Sequence, residues 1–201
     1  MPEKKPFNFI NHPIPVNLSN HHVHPSKKDF EVLFGKNYPP NKLRDLYQPG
    51  QYVCQETVTL VGPKKNIEKV YLLGPFRDKT QVEISRTDAF ALGLDVPLRK
   101  SGELKNSASL TLIGPKGKIT LKEGCIIEQR HLHLSENDAK KLKISNNQIV
   151  AILAGKNKGR ETIFFNVYCQ VSDRYLSECH LDLDEGNATL VNNGDFVYLI
   201  E

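Results

Sequence analysis

Two His-x-His pairs lie about half the chain apart in similar sequence contexts. They are His22-Val23-His24 and His131-Leu132-His133, and each is followed by a serine two residues on and an aspartate five residues on. In an extended segment, residues i and i+2 face the same side about 6.5–7 Å apart, so each pair presents two imidazoles in one direction. Neutral imidazole is a common protein ligand for zinc and similar metals. A single pair is more often surface or turn histidine, but the repetition favours metal binding.

The residues after each pair predict a short helix. Ser26 precedes Asp29 by three residues, and Ser135 precedes Asp138 by three. This is the spacing of a helix N-cap with an acidic third residue. We therefore expect helices over 27–35 and 136–143, directly after the two histidine pairs.

A second internal similarity and many short alternating segments indicate a β-rich chain. Thr59-Leu60-Val61-Gly62-Pro63-Lys64 resembles Thr111-Leu112-Ile113-Gly114-Pro115-Lys116. Two copies are too few for a solenoid, so two related β-rich lobes fit better. Few crossover helices are expected, which favours a β-barrel or sandwich over a parallel α/β sheet. The pattern predicts one further helix, over 86–93, and strands over 14–20, 52–61, 67–73, 80–84, 110–113, 118–121, 148–153, 162–171, 176–183 and 196–200.

Composition limits the function classes. The 201 residues carry a formal net charge of +4, contain no tryptophan, and include no apolar run long enough for a membrane span. The lysines are spread out with no interleaved aromatic residues, so nucleic acid is not an expected partner. The four cysteines form no Cys-x-x-Cys pair, which favours reduced thiols in a cytosol. A small polyanion suits the modest positive charge better than a macromolecule.

Other candidate residues are ambiguous by pattern alone. Glu83 lies in a strand where alternation puts it on one face with Gln81 and Ser85, and this face is either exposed to solvent or lines a site, with solvent favoured. His180 lies on a second alternating strand, where a lone histidine is more often structural or exposed than a ligand. Arg77 follows a turn and suits capture of phosphate or carboxylate, although a surface arginine is the commoner case.

Seven motifs together resemble the PduL-type phosphate acyltransferases, also called phosphate propanoyltransferases. The resemblance covers roughly residues 14–188. The motifs are Ser19–His24, Leu43–Gln51, Glu56–Pro63, Thr80–Ala89, Leu121–Gly124, Arg130–His133 and His180–Glu185.

The resemblance implies a mainly β fold of two pseudo-symmetric β-barrels with short capping α-helices. It places a first barrel lobe at 23–128 and a second lobe at 14–22 plus 129–201, and the polar residues and prolines of 1–13 predict a flexible N-terminal arm. It also implies two divalent metal ions, usually zinc. The matching metal ligands are His22, His24, Glu83, His131, His133 and His180.

The implied reaction converts acyl-CoA (acetyl- or propanoyl-CoA) and phosphate reversibly into acyl phosphate and coenzyme A. Arg77 matches an arginine associated with phosphate, and Ser101 matches a serine lining the active site. Metal-bound phosphate would attack the thioester directly, so no acyl-enzyme is needed. Ser101 or Cys125 as a covalent nucleophile is the less favoured variant.

Three further expectations concern context and rival functions. Residues 1–13 contain Pro2, Pro6 and Pro13, which disfavour the amphipathic targeting helix of compartment-bound relatives, so a cytoplasmic location is preferred over a microcompartment lumen. Family resemblance also suggests a homo-oligomer. The alternatives are a non-catalytic metal-stabilised β-barrel module and a metal-dependent thioester or phosphoester hydrolase.

Overall fold

The computed structural model describes residues 9–200 and divides the chain into two compact units. The middle unit is Asn20–Gln129, and the terminal unit combines the chain up to Ser19 with the chain from Arg130 onward. Residues 20–22 and 129, assigned from sequence to the second lobe, lie here in the middle unit. Of the predicted arm at 1–13, residues 1–8 lie outside the described residues, whereas the Ile10 N–H donates to the Leu199 carbonyl (2.8 Å).

Short strands dominate both units, and each unit has two short helices. In chain order the elements are β1 (Ile14–Ser19), β2 (His22–His24), α1 (Lys27–Phe34), β3 (Lys42–Asp45), β4 (Tyr52–Val61), β5 (Asn66–Gly74), β6 (Gln81–Glu83), α2 (Arg86–Leu92), β7 (Leu98–Arg99), β8 (Ala108–Ile113), β9 (Lys118–Glu128), β10 (His131–Ser135), α3 (Glu136–Leu142), β11 (Ile149–Ala154), β12 (Thr162–Ser172), β13 (Glu178–Asp182), α4 (Leu183–Thr189) and β14 (Phe196–Leu199).

The strands of the middle unit close into a six-stranded barrel. The order around the barrel is β2-β6-β9-β8-β4-β5, and β5 pairs again with β2. The β5–β2 and β6–β9 pairs are parallel and the other four are antiparallel. Strands β3 and β7 extend the sheet at β4 and β9. The interior is filled by apolar side chains such as Leu60, Leu72 and Leu112.

The terminal unit has a closed barrel with the same pattern of pairings. Its order is β10-β13-β1-β14-β11-β12, and the parallel pairs are again the second, β13–β1, and the last, β12–β10. Strand β10 therefore corresponds to β2, and β13 corresponds to β6. The predicted fold class, mainly β with two pseudo-symmetric barrels and short helices, is confirmed.

Side-chain caps begin the four helices. Ser26, Ser85 and Ser135 each accept a hydrogen bond from the backbone N–H three residues on, which starts α1, α2 and α3 close to the predicted positions. Helix α4 was not predicted. Its capping box joins Asp182 to Glu185, a spacing visible in the sequence but read as the end of a strand.

The two Thr-Leu-x-Gly-Pro-Lys segments lie in one barrel, at the ends of the paired strands β4 and β8. Each turn closes against the end of a helix. The Lys64 N–H donates to the Leu92 carbonyl, and the Lys116 N–H donates to the Leu33 carbonyl, each at 3.0 Å. The repeated glycines, Gly62 and Gly114, are needed because helix backbone passes directly over them.

Replacing Gly62 with alanine should lower the free energy of unfolding of the middle unit by about 3 kcal/mol. A Cβ atom at this position would overlap the Leu92 carbonyl oxygen, so backbone must move. Chemical denaturation followed by circular dichroism measures the loss. The matched control is Gly50→Ala in the same unit, where a Cβ meets open space and only the backbone angle of +79° opposes it, at a cost of about 1 kcal/mol. Equal losses in the two variants would contradict the close-approach explanation.

Candidate metal centres

The first candidate metal centre is in the middle unit, where β2 and β6 pair in antiparallel register. His22 faces Glu83 across this pair, and His24 faces Gln81 on the same side of the strands. The Nε2 atom of His22 lies 3.1 Å from Glu83 Oε2, and the Nε2 atom of His24 lies 3.4 Å from Glu83 Oε1. The two Nε2 atoms are 3.2 Å apart. All three side chains are thus close enough to share one ion.

Hydrogen bonding directs both imidazole lone pairs towards this point. His22 Nδ1 lies 2.8 Å from the Asn20 carbonyl oxygen, an acceptor, so the Nδ1 atom carries the proton and Nε2 carries the lone pair. Arg77 Nη2 lies 2.9 Å from His24 Nε2, and because arginine only donates, this nitrogen also presents a lone pair. The two lone pairs and the carboxylate converge in a buried space, where a cation would stabilise them. The donor set fits a divalent metal.

Burial and neighbouring charges shift the pKa values of all three side chains of the centre. Burial lowers the pKa of His24 to about 4, so its ring is neutral near pH 7. Burial alone would raise the pKa of Glu83, but the adjacent His22 outweighs it and holds the pKa well below its usual value. Burial likewise opposes the charged form of His22, yet the Glu83 carboxylate raises its pKa. Two imidazoles and one carboxylate are the protein ligands of catalytic zinc sites with an open fourth position.

Polar side chains next to the centre join it to the turn at residue 101. Arg77 Nη1 donates to Ser101 Oγ (2.9 Å), and Gln81 Nε2 donates to the same oxygen (2.9 Å). The Gln81 amide also donates to Glu83, and its carbonyl oxygen accepts the Gly102 N–H (2.7 Å). The structure therefore brings Arg77 and Ser101, both predicted from sequence, to the edge of the first centre.

Sequence reasoning missed two residues of this centre. Gln81 is only 1% exposed and Glu83 only 4%, so the shared face for which solvent was favoured is buried. The second missed residue is Glu128, at the end of β9. Burial and the Glu83 carboxylate raise the pKa of Glu128 well above its usual value, which favours its protonated form. Nothing in the local pattern of Glu128 distinguishes it from the other acidic residues of the chain.

The second candidate centre lies in the terminal unit and contains three histidines. His131 faces His180 across β10 and β13, and His133 faces Glu178. The rings of His131 and His180 stack at 4.5 Å, and His133 lies 4.8 Å from each of them. Burial, followed by the nearby His180, lowers the pKa of His133 to about 4. Among the described residues, the buried Nδ1 atom of His133 has no hydrogen-bond partner, so its lone pair is available to a metal ion.

The two centres occupy equivalent register positions but place their carboxylate differently. Glu83 stands where the terminal unit has His180, and Gln81 stands where it has Glu178, whose Oε2 atom lies 2.9 Å from His180 Nε2. Arg77 contacts His24, whereas a tyrosine ring, Tyr175, stacks on His133 at 4.2 Å. The cation suited to a phosphate group is therefore a feature of the middle-unit centre.

Comparison with known proteins identifies the class. The family profile described as phosphate propanoyltransferase matches residues 15–192. A Thermotoga maritima protein named phosphate propanoyltransferase is 45% identical over 186 residues, 92% of this chain and 88% of its own. Proteins of the same name from Priestia megaterium (46%) and Salmonella typhimurium (45%) each match over 182 residues, 90% of this chain and 83% and 85% of theirs. The chain is an enzyme of the transferase class. It belongs to the phosphate propanoyltransferase family.

No helix in the described part of the chain is long and apolar enough to cross a membrane, since the longest has eight residues.

Proposed function

We propose that this protein transfers an acyl group, acetyl or propanoyl, reversibly between coenzyme A and inorganic phosphate. Family membership supports acyl transfer between these two acceptors. The observation that carries the proposal is the Arg77 guanidinium beside a buried set of two imidazoles and one carboxylate. This arrangement offers a cation for a phosphate group next to donors suited to a divalent ion.

The proposal includes one divalent ion, zinc by ligand type, at each centre. The donors would be His22, His24 and Glu83 in the middle unit, and His131, His133 and His180 in the terminal unit. When bound, such ions supply a Lewis acid and neutralise negative charge on phosphate and on the developing oxyanion. The lone pairs of His22 and His24 at the middle-unit centre and the unpaired Nδ1 atom of His133 support this loading.

Arg77 would hold the phosphate. The lone pair of His24 Nε2 serves one partner at a time, so a guanidinium that donates to it (2.9 Å) must release it when the nitrogen serves as a ligand. The freed N–H groups can then pair with two phosphate oxygens in the planar geometry that arginine favours. Ser101 Oγ, which Arg77 and Gln81 both contact, fixes the direction of the guanidinium.

A small cavity beside His24 and Arg77 suits the reacting end of the thioester. Its volume is about 320 Å³, and its remaining walls are Pro49, Gly50, Gln51, Gly74 and Pro75. A short acyl chain fits these small and apolar walls. Phosphate held by Arg77 would attack the carbonyl carbon, the C–S bond would break, and the phosphate proton would pass to the departing thiolate.

The side chains argue against an acyl-enzyme on cysteine. Cys125 is fully buried, and burial raises the pKa of its thiol to about 12. Since the thiolate is the nucleophile, such a cysteine is inert near neutral pH. Direct attack by phosphate therefore remains the preferred route, and a hydrolase that uses water is the second candidate.

We expect thiol release from acetyl-CoA or propanoyl-CoA to require both phosphate and metal. The assay follows free thiol with and without phosphate, before and after chelation and dialysis, and then after zinc is restored. Acyl phosphate must form in equal amount. Thiol release without phosphate would identify the protein as a hydrolase. No thiol release by the metal-loaded protein would identify it as a non-catalytic module.

Two further parts of the proposal concern context. A cytoplasmic location remains a prediction from the prolines of residues 1–13 and the scattered cysteines, and a homo-oligomeric state remains a prediction from the family resemblance. Fractionation of the cells and light scattering of the purified protein test them separately.

A further inference from the structure

A second, larger cavity within the middle unit is also lined by Arg77. Its volume is about 840 Å³, and it is bounded by the start of α1, the segment 77–80, and the middle of β9. Five of its lining residues are cationic and three are acidic. The cationic residues are Lys27, Lys28, Arg77, Lys79 and Lys122, and the acidic residues are Asp29, Asp78 and Glu123.

The lysines of this cavity are not neutralised by neighbouring acids. Among the described residues, none of the four lysines lies within 4.0 Å of a carboxylate oxygen. Two of the acids are already engaged by hydrogen-bond donors, since Asp29 accepts from Thr80 Oγ1 (2.5 Å) and Glu123 accepts from the Asn106 N–H (2.9 Å). With five cationic side chains against three acidic ones, the cavity has an excess of positive charge, and its exposed ammonium groups are available to a mobile anion.

Arg77 forms a wall of both cavities. It lines the small cavity together with His24, and it lines the large basic one together with the lysines. An anion that crosses the basic cavity thus arrives at Arg77 without crossing the small cavity. A hydrated phosphate is much smaller than 840 Å³, so this cavity is suited to collecting anions and passing them on, not to a tight fit.

We propose that the basic cavity is the entrance through which inorganic phosphate reaches Arg77 and acyl phosphate leaves. The inference rests on the proposed function. The lysines would raise the local concentration of the anion by electrostatic steering and would not touch the reacting atoms. Their removal should slow capture of phosphate and leave the chemical step unchanged.

The test uses the double variant Lys79→Gln/Lys122→Gln in the metal-loaded, full-length protein. We expect kcat/KM for phosphate to fall about 5- to 20-fold at low salt, with kcat and the KM for acyl-CoA unchanged. The difference should shrink at high salt because exposed charges are then screened. The matched control is Lys36→Gln/Lys65→Gln, which removes two exposed lysines of the same unit that line neither cavity.

The other outcomes separate this inference from the proposed function. If the double variant is active and its KM for phosphate is unchanged, the entrance proposal is wrong, but the proposed function still stands. A raised KM for acyl-CoA, absent with acetyl-pantetheine, would also overturn it and assign the cavity to the phosphates of coenzyme A. If kcat/KM for phosphate falls equally in the control variant Lys36→Gln/Lys65→Gln, the effect comes from the net charge of the protein, and the entrance proposal is wrong. No phosphate-dependent release by the unmodified protein would overturn both proposals.

Discussion

The Glu83→Gln variant should no longer bind a metal at the middle-unit centre, and its rate of acyl transfer should fall about 10³-fold. Glutamine keeps the shape of the side chain but supplies a neutral amide, whose N–H₂ group would face the lone pairs of His22 and His24. A divalent ion then loses the anionic member of its donor set. Loss of such Lewis-acid stabilisation costs several kcal/mol, and each 1.36 kcal/mol is about tenfold in rate. Metal content per chain by mass spectrometry and phosphate-dependent thiol release measure the two effects.

Two matched variants distinguish a ligand from a buried structural carboxylate. Glu83→His copies the donor set of the terminal unit, where His180 occupies the equivalent register position, so we expect metal binding to return. Glu56→Gln changes another buried carboxylate of the same unit, one that accepts from the Asn41 N–H (3.1 Å), and should keep both ions. Full metal content in Glu83→Gln would exclude Glu83 as a ligand.

The sequence predicted the fold where local chemistry and period agree. Alternating strands, Gly-Pro turns and the caps at Ser26, Ser85 and Ser135 needed no knowledge of distant contacts. Closure of each barrel could not be derived in this way, because β2 pairs with strands that follow it by about 45 residues or more in the chain. The family resemblance supplied closure, and the pairings confirm it. Helix α4 was missed because Asp182 continues an alternating strand and also begins a helix.

The candidate ligands show the same division between local and distant information. His22, His24, His131 and His133 were identified from a repeated local pattern. Pattern alone favoured solvent for Glu83 and a structural role for His180, and their places beside the histidine pairs depend on antiparallel register. Gln81 and Glu128 belong to the centre through contacts that only the folded barrel creates. The assignment of these residues as metal ligands stays a prediction until metal content is measured.

Arg77→Ala should lower kcat/KM for phosphate by about 10²- to 10³-fold while metal content remains unchanged. The guanidinium donates to Ser101 Oγ and to His24 Nε2 (2.9 Å each) and is not itself a ligand. Removing it takes a fixed pair of charged donors from the phosphate, and such losses cost about 3–4 kcal/mol. Steady-state kinetics with phosphate varied at saturating acyl-CoA measure the change.

Partial restoration by chemistry would identify what Arg77 supplies. Arg77→Lys keeps the positive charge but loses the planar pair of donors, so we expect it to recover only part of the lost activity. Added guanidinium should restore Arg77→Ala more than added ammonium does, because only guanidinium reproduces the paired N–H groups. If both ions restore activity equally, a point charge is sufficient. If phosphate kinetics stay unchanged in Arg77→Ala, phosphate is held elsewhere, and the basic cavity loses its connection to the reaction.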